Sequence, residues 1–232
     1  MKILKKIALV IFVLVLPVLL FTASISMAAN NILLYKYGFA RYDISRVTGI
    51  AGPELDKVAH GLIGYWNNGE KTFNITVIKN GDPFTVFNDR EVQHLVDVKV
   101  LFRLVYKILL GTFIYALAFL GLTLFLWKDR WALAQGLTWG SGLSIFLMIA
   151  LGIISAIDFN WLFLQFHYLS FANDLWQLNP ARDYLIMIFP EGFWFDAAVF
   201  VLAFMVLLAL ILGFLGWRML RKELITNRPR SL

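Results

Sequence analysis

The 232-residue sequence contains no cysteine. That excludes disulfides, thiolate nucleophiles, thiol-anchored lipids and cysteine-based metal sites. It also lacks a Gly-rich phosphate loop, a G-x-S-x-G elbow and an H-E-x-x-H helix. Charge is scarce: 16% of residues are charged, against about 25% in an ordinary soluble domain. Four stretches carry none at all: 7–27, 108–127, 131–157 and 197–217. A helix needs roughly 20 apolar residues to cross a hydrocarbon core about 30 Å thick. A helix also satisfies its own backbone in lipid, whereas barrel strands would be shorter and alternating. With 60% hydrophobic residues and a mean hydropathy of +0.73, the chain reads as a polytopic, mainly α membrane protein with four transmembrane helices.

The net charge of +6 resembles a nucleic-acid signal only until it is mapped. Lys2, Lys5 and Lys6 precede the first span, and Lys128 and Arg130 lie in the short link between spans two and three. Arg218, Arg221, Lys222, Arg228 and Arg230 follow the fourth. These three places fall on one side of a four-span arrangement. That side holds 10 basic and 2 acidic residues, against 11 and 13 on the other. Short cytoplasmic flanks collect Lys and Arg, so both termini are expected in the cytoplasm, and no nucleic-acid partner is expected. The division that follows is a first span over 1–28, an extracytoplasmic cap over 29–100 and a second span over 101–127. A link over 128–130, a third span over 131–157, an outer interfacial segment over 158–196, a fourth span over 197–217 and a tail over 218–232 complete it. The Lys-rich start and Ser26-Met27-Ala28 also fit a cleavable signal. The apolar core of about twenty residues exceeds the 7–15 of such signals, so a retained span, kinked at Pro17, is the expectation.

The first outer segment has structure of its own. Leu55, Val58, Ala59, Leu62, Ile63 and Trp66 have helical spacing, which Asn67-Asn68-Gly69 ends. Phe73, Ile75 and Val77 alternate with polar residues, Asn80-Gly81 turns the chain, and 84–87 returns as a hairpin. A small α+β cap of about 70 residues is expected, too small to bury much core alone. Asn88 and Glu91 then read as a capping box opening a new helix. Lys99, Arg103 and Lys107 follow on one face at i, i+4 and i+8, which fits snorkelling to the headgroups or facing a polar pocket. The second outer segment mixes aromatics with Asn, Asp and Pro and reads as lying at the membrane surface, partly re-entrant. Gly136 and Gly140 form a G-x-x-x-G in span three, which points to close helix packing; Ser141 reads as packing too.

All three histidines lie in the outer segments. His60, one turn after Asp56, reads as a solvated surface residue. His94 precedes Asp97 by three, so they share a helix face, and an acid beside a histidine fixes its tautomer and raises its basicity. His167 sits amid aromatics past span three. Either histidine is a candidate for acid–base work, an interfacial residue making one hydrogen bond being the commoner case. Three well-separated histidines are a weak metal signal, and neither metal nor cofactor is expected.

Two blocks carry a resemblance. Phe87-x-x-x-Glu91-x-x-His94-Leu95-x-Asp97-Val98-Lys99 resembles the first signature of the lipoprotein intramolecular transacylase family. Phe166-His167-x-x-x-Phe171-x-Asn173-Asp174-x-Trp176, with Asp183-x-Leu185-Ile186-x-x-x-Pro190-x-x-Phe193, resembles its second. The resemblance implies four transmembrane helices under an extracytoplasmic cap, in the bacterial cytoplasmic membrane. It implies an acyltransferase whose partners are membrane lipid and diacylated bacterial lipoproteins, moving the sn-2 acyl chain of the diacylglyceryl-cysteine to its N-terminal α-amine. It implies His94 and His167 as the catalytic pair, with Asp97, Glu91, Lys99 and Arg103 supporting. Phe166, Tyr168, Phe171, Asn173, Trp176, Phe193 and Trp194 would hold the substrate. The chemistry is consistent: an α-amine of pKa about 7.7–8.0 must lose a proton before attacking an ester, and a histidine near 6.5 is a reasonable base. Three rivals stand beside this reading. A non-catalytic membrane scaffold would not need the two histidines to meet. A transporter would want mid-membrane ionisable groups, which spans two to four lack. A lipid hydrolase using the same histidines would need room for water.

Overall fold

The computed structural model describes residues 2–226; Arg228 and Arg230, counted above in the basic tail, lie outside the described residues. Nine α-helices and one hairpin are described. They are α1 (Lys2–Ala29), α2 (Ile32–Arg41), α3 (Ile44–Thr48), α4 (Gly52–Asn67), β1 (Thr76–Lys79), β2 (Asp82–Thr85), α5 (Asp89–Gly121), α6 (Arg130–Ile157), α7 (Phe159–Ser170), α8 (Tyr184–Ile188) and α9 (Glu191–Thr226). A π-helical turn, Leu122–Leu126, continues α5. Four helices are long and apolar enough to cross a membrane: Lys2–Ala29, Asp89–Leu126, Arg130–Ile157 and Glu191–Ile225. The chain is a multi-pass membrane protein of four helical spans with a small two-stranded sheet. The second of these helices has 38 residues, about 57 Å at 1.5 Å per residue, nearly twice a hydrocarbon core. Its charge-free C-terminal part is by itself long enough to span.

The chain divides into two compact units. The first comprises Met1–Ile25, Tyr106–Ile153 and Val201–Leu232. Its core is Phe12, Leu16, Leu20, Phe119, Leu133, Met148, Met205 and Ala209. Lipid is as apolar as these side chains, so what holds such helices together is close packing rather than escape from water. The glycines show it. A Cβ on Gly136 would lie 2.8 Å from the Phe12 ring, and one on Gly140 2.8 Å from Leu16, so this pair lets α1 settle against α6. A Cβ on Gly216 would lie 2.9 Å from the Ala134 carbonyl oxygen, so α9 meets the backbone of α6. Phe12 and Phe119 stack at 4.3 Å, Tyr115 donates to the Ala8 carbonyl at 2.8 Å, and Lys5 pairs with Asp129 at 3.2 Å. Leu110, Phe113, Ile114 and Leu117 are exposed on the outside of α5. α1 runs unbroken through Pro17.

The second unit comprises Ser26–Val105 and Ile154–Phe200. α4 buries Leu55, Val58, Ala59, Leu62, Tyr65 and Trp66, at about 1.5–3 kcal/mol for each large side chain. They join Phe73, Val77, Val86, Phe87, Leu95, Ile188, Phe189 and Phe193 in one core. The hairpin pairs antiparallel with Val77 opposite Phe84 and Lys79 opposite Asp82. Its turn residues Asn80 and Gly81 both have positive φ, 56° and 92°, as a two-residue turn of the hairpin hand requires. Ladder pairing starts at Thr76, later than the alternation beginning at Phe73, although Phe73 still faces the core. The segment after span three forms α7 and α8, with irregular backbone over 171–183 between them. Asp158 starts α7 by accepting from the Trp161 N–H at 2.9 Å, and Asn160 donates to Glu191 at 2.9 Å, tying the first turns of α7 and α9.

Candidate functional site

Two helices of the second unit supply the site. α5 opens with the capping box: the Glu91 N–H donates to Asn88 Oδ1 at 3.1 Å and the Asn88 N–H to Glu91 Oε2 at 2.7 Å. The other Glu91 oxygen accepts the Leu185 N–H of α8 at 2.6 Å. Asp183, just before α8, accepts from the Asn88 side chain at 3.0 Å and the Asn179 N–H at 2.7 Å. The first turn of α5 is thus pinned, and one turn on it presents His94.

α7 presents His167 in its last turn. The ring centroids of His94 and His167 are 6.3 Å apart, with planes inclined by 29°. Both are buried, at 7% and 8% exposure. Aromatic rings surround them: Phe163 at 4.3 Å, Trp176 at 4.9 Å, Phe166 at 5.3 Å and Phe171 at 5.6 Å from His167, with Phe171 5.0 Å from His94. His167 Nδ1 lies 2.7 Å from the Phe163 carbonyl oxygen. A carbonyl only accepts, so Nδ1 carries the proton and Nε2 of the neutral ring keeps a lone pair. His94 Nδ1 is buried without a hydrogen-bond partner. Burial, and then the proximity of His167, holds the His94 pKa down to about 4 against the pull of Asp97. Burial also lowers that of His167, opposed by its bond to Phe163. Both rings are therefore neutral at pH 7, and a charge on one disfavours a charge on the other.

Asp97 lies on the His94 face of α5, but its carboxylate accepts the Asn173 side-chain amide at 2.9 Å; no hydrogen bond joins it to His94. Lys99 neither snorkels nor faces open space. It is 3% exposed, its ammonium donates to Asn68 Oδ1 at 2.9 Å and the Glu70 carbonyl at 2.7 Å, and it sits 3.8 Å over the Tyr65 ring. Burial lowers its pKa. Arg103 is exposed. Phe193 is a core residue against Phe189 and Gly38, whereas Trp194, Tyr168 and Phe166 are open. His60 is exposed, and Asp56 pairs with Lys36 at 2.7 Å. Among the described residues no cluster of three metal-ligating side chains occurs. Two contributors escaped the sequence reading. Phe163, four residues before His167 and thus on its face of the helix, was legible from spacing. Arg90, which donates to the Asp174 carbonyl, was not, because nothing in the sequence reports that loop's path.

Fold and site together define a polytopic α-helical membrane protein with a buried, aromatic-lined histidine pair. The family described as lipoprotein intramolecular transacylase Lit matches residues 10–194, most of the chain, and the chain belongs to that family of transacylases. An uncharacterized protein of Aquifex aeolicus (strain VF5) is 30% identical over 159 residues, covering 67% of this chain and 68% of that one. The membrane integral lipoprotein intramolecular transacylase Lit from Bacillus cereus superposes with a TM-score of 0.82 over 97% of this chain and all of that one, at 22% identity. A histidine-to-arginine variant of it superposes at 0.78, with 21% identity and 97% and 96% coverage. These likenesses show the fold.

Proposed function

We propose that this chain moves the sn-2 acyl chain of a diacylglyceryl-cysteine lipoprotein to the lipoprotein's own α-amine, with His94 and His167 as the acid–base pair. The observation that carries the reading is the meeting at 6.3 Å of two rings that lie more than seventy residues apart in sequence, which a scaffold would not need. The reaction balances without a co-reactant. The amine nitrogen forms a bond to the ester carbonyl carbon, the bond from that carbon to the glycerol oxygen breaks, and one proton passes from nitrogen to that oxygen. His167 Nε2, which keeps its lone pair because Nδ1 carries the proton bonded to Phe163, would take and return that proton. His94, kept neutral by burial, is suited to polarise the carbonyl by hydrogen bonding rather than to hold a charge. Ester and amine belong to one molecule, so positioning supplies much of the rate and no acyl-enzyme is required. The aromatic rings around His167 keep out water, whose attack would give hydrolysis instead. The net positive charge of the short flanks, 10 basic against 2 acidic residues, supports cytoplasmic termini, with 29–100 and 158–196 on the outer face of a bacterial cytoplasmic membrane.

The test is expression of the chain, and of His94→Ala and His167→Ala forms, in a bacterium that leaves its lipoproteins diacylated with a free amine. Mass spectrometry of the N-terminal lipopeptide should find one acyl chain on nitrogen at unchanged total mass, and find it on glycerol in both variants. An unmoved chain in cells with properly inserted protein overturns the reading.

A further inference from the structure

Residues 171–176 run irregularly from the end of α7 and cover both histidines: Phe171 touches each ring and Trp176 lies on His167. Two consecutive residues of this strap grip α5 on either side of His94. Asn173 Nδ2 donates to Asp97 Oδ2 at 2.9 Å, and the Asp174 carbonyl accepts from the Arg90 guanidinium. Arg90, His94 and Asp97 follow at i, i+4 and i+7, one face of one helix. The Asn173 amide is used at both ends, since its oxygen accepts the Leu175 N–H at 3.0 Å and shapes the strap's own turn. An aspartate there would keep that turn but set two carboxylates against each other. The Asp174 carbonyl likewise accepts the Gln177 N–H at 3.1 Å.

We propose that Asp97 and Arg90 are positioning residues that act on the strap rather than on His94, latching residues 171–176 to α5 so that Phe171 and Trp176 close over the histidine pair during acyl transfer. Asp97, which by spacing looks like the partner that orients His94, is committed to Asn173 instead, while His94 Nδ1 is left without a partner. The proposal rests on the transacylase reading for its activity readout but not for its structural one.

The experiment uses purified full-length protein with a diacylglyceryl-cysteine lipopeptide bearing a free α-amine, in Asn173→Asp, Asp97→Asn/Asn173→Asp and Arg90→Ala forms. N-acylated product is read by mass spectrometry, and backbone hydrogen exchange over 171–178 is followed in parallel. Asn173→Asp should lower kcat/KM about tenfold, the worth of a charge-assisted bond, and speed exchange in the strap. The double variant rebuilds the bond with donor and acceptor exchanged and should recover most of both. Arg90→Ala should speed exchange too, with a fall in kcat/KM and no change in where the protein unfolds. A double variant that restores slow exchange but not activity would overturn the proposal, because Asp97 would then act through its own charge on His94. Unchanged exchange in Asn173→Asp would overturn it as well. If the native chain converts no lipopeptide, the transacylase reading falls, and the exchange arm still decides the latch. Asp97→Ala, which removes the acceptor without adding repulsion, should match the direction of Asn173→Asp and guards against a folding artefact.

Discussion

Glu91→Gln tests the clamp that sets the start of α5. Glu91 is 1% exposed, and each of its oxygens accepts one backbone N–H, from Asn88 at 2.7 Å and Leu185 at 2.6 Å. Glutamine has the same shape but one accepting oxygen. Its NH2 must point at one of the two N–H groups, so a short bond is lost and two donors face each other. A hydrogen bond to a charged group contributes about 1.5–3 kcal/mol, and a buried unsatisfied donor costs about 1–3 kcal/mol. A loss of about 3 kcal/mol follows, which for a chain of this size lowers Tm by roughly 6–12 °C. Glu91→Ala strands both donors and should lose more. Thermal unfolding of detergent-solubilised protein at pH 7, followed by circular dichroism, is the assay. Burial raises the Glu91 pKa and Asp183 adds to it, while the two backbone bonds pull it down. If Glu91→Gln unfolds within about 2 °C of the native protein, the twin-acceptor argument is wrong and the side chain already sits there neutral, with one oxygen as a donor.

The histidines predict an unusual pH profile. With the His94 pKa at about 4 and that of His167 below its ordinary 6.5, any histidine inflection in kcat/KM should lie below pH 6.5, with a further rise through the substrate amine's range at about 8; a native profile with an inflection between pH 6.5 and 7 would contradict the lowered values. The same depression means that the unfolded chain binds more protons than the folded one below about pH 6.5, so Tm should fall as pH drops from 7 toward 5, most visibly against a His94→Gln background in which that part of the slope is gone. In the first unit, Gly216→Ala should cost more than Gly140→Ala, because the new methyl meets the fixed Ala134 carbonyl rather than the end of a Leu16 side chain. Overpacking of this kind costs about 1–3 kcal/mol, and a smaller Tm loss for Gly216→Ala than for Gly140→Ala would refute the comparison. Gly38→Ala drives its Cβ into the Phe193 ring and should destabilise by the upper part of that range; full stability there would mean that α2 does not pack on Phe193 as described.

Spans, hairpin and capping box were legible because each is a local pattern read against one physical demand: apolar length against bilayer thickness, positive φ at Asn80-Gly81, and a donor–acceptor exchange three residues apart. The histidine pair was legible only through the resemblance, since nothing local in 87–99 or in 166–176 reports that the two segments meet. What remained hidden is what depends on partners distant in sequence. Lys99 read either as one of three snorkelling cations at i, i+4 and i+8 or as facing a polar pocket; the periodicity was real, and Asn68, Glu70 and Tyr65, none of them predictable from spacing, surround its ammonium while Arg103 stays exposed. Asp97 looked like the orienting acid of His94 because i and i+3 share a face; the face was right, and Asn173, seventy-six residues on, claims the carboxylate. Phe193 read as a substrate-facing aromatic beside Trp194, yet helical neighbours point different ways, and Gly38 on α2 makes room for Phe193 in the core while Trp194 stays open. In each case the spacing correctly gave the direction of a side chain, and a residue far away in the chain decided what it met there. Only the surroundings of His167 are partly local, with Phe163 one helical turn before it and Phe171 four residues after; its meeting with His94 is not. Asp97 and Arg90 are known only through the strap they hold.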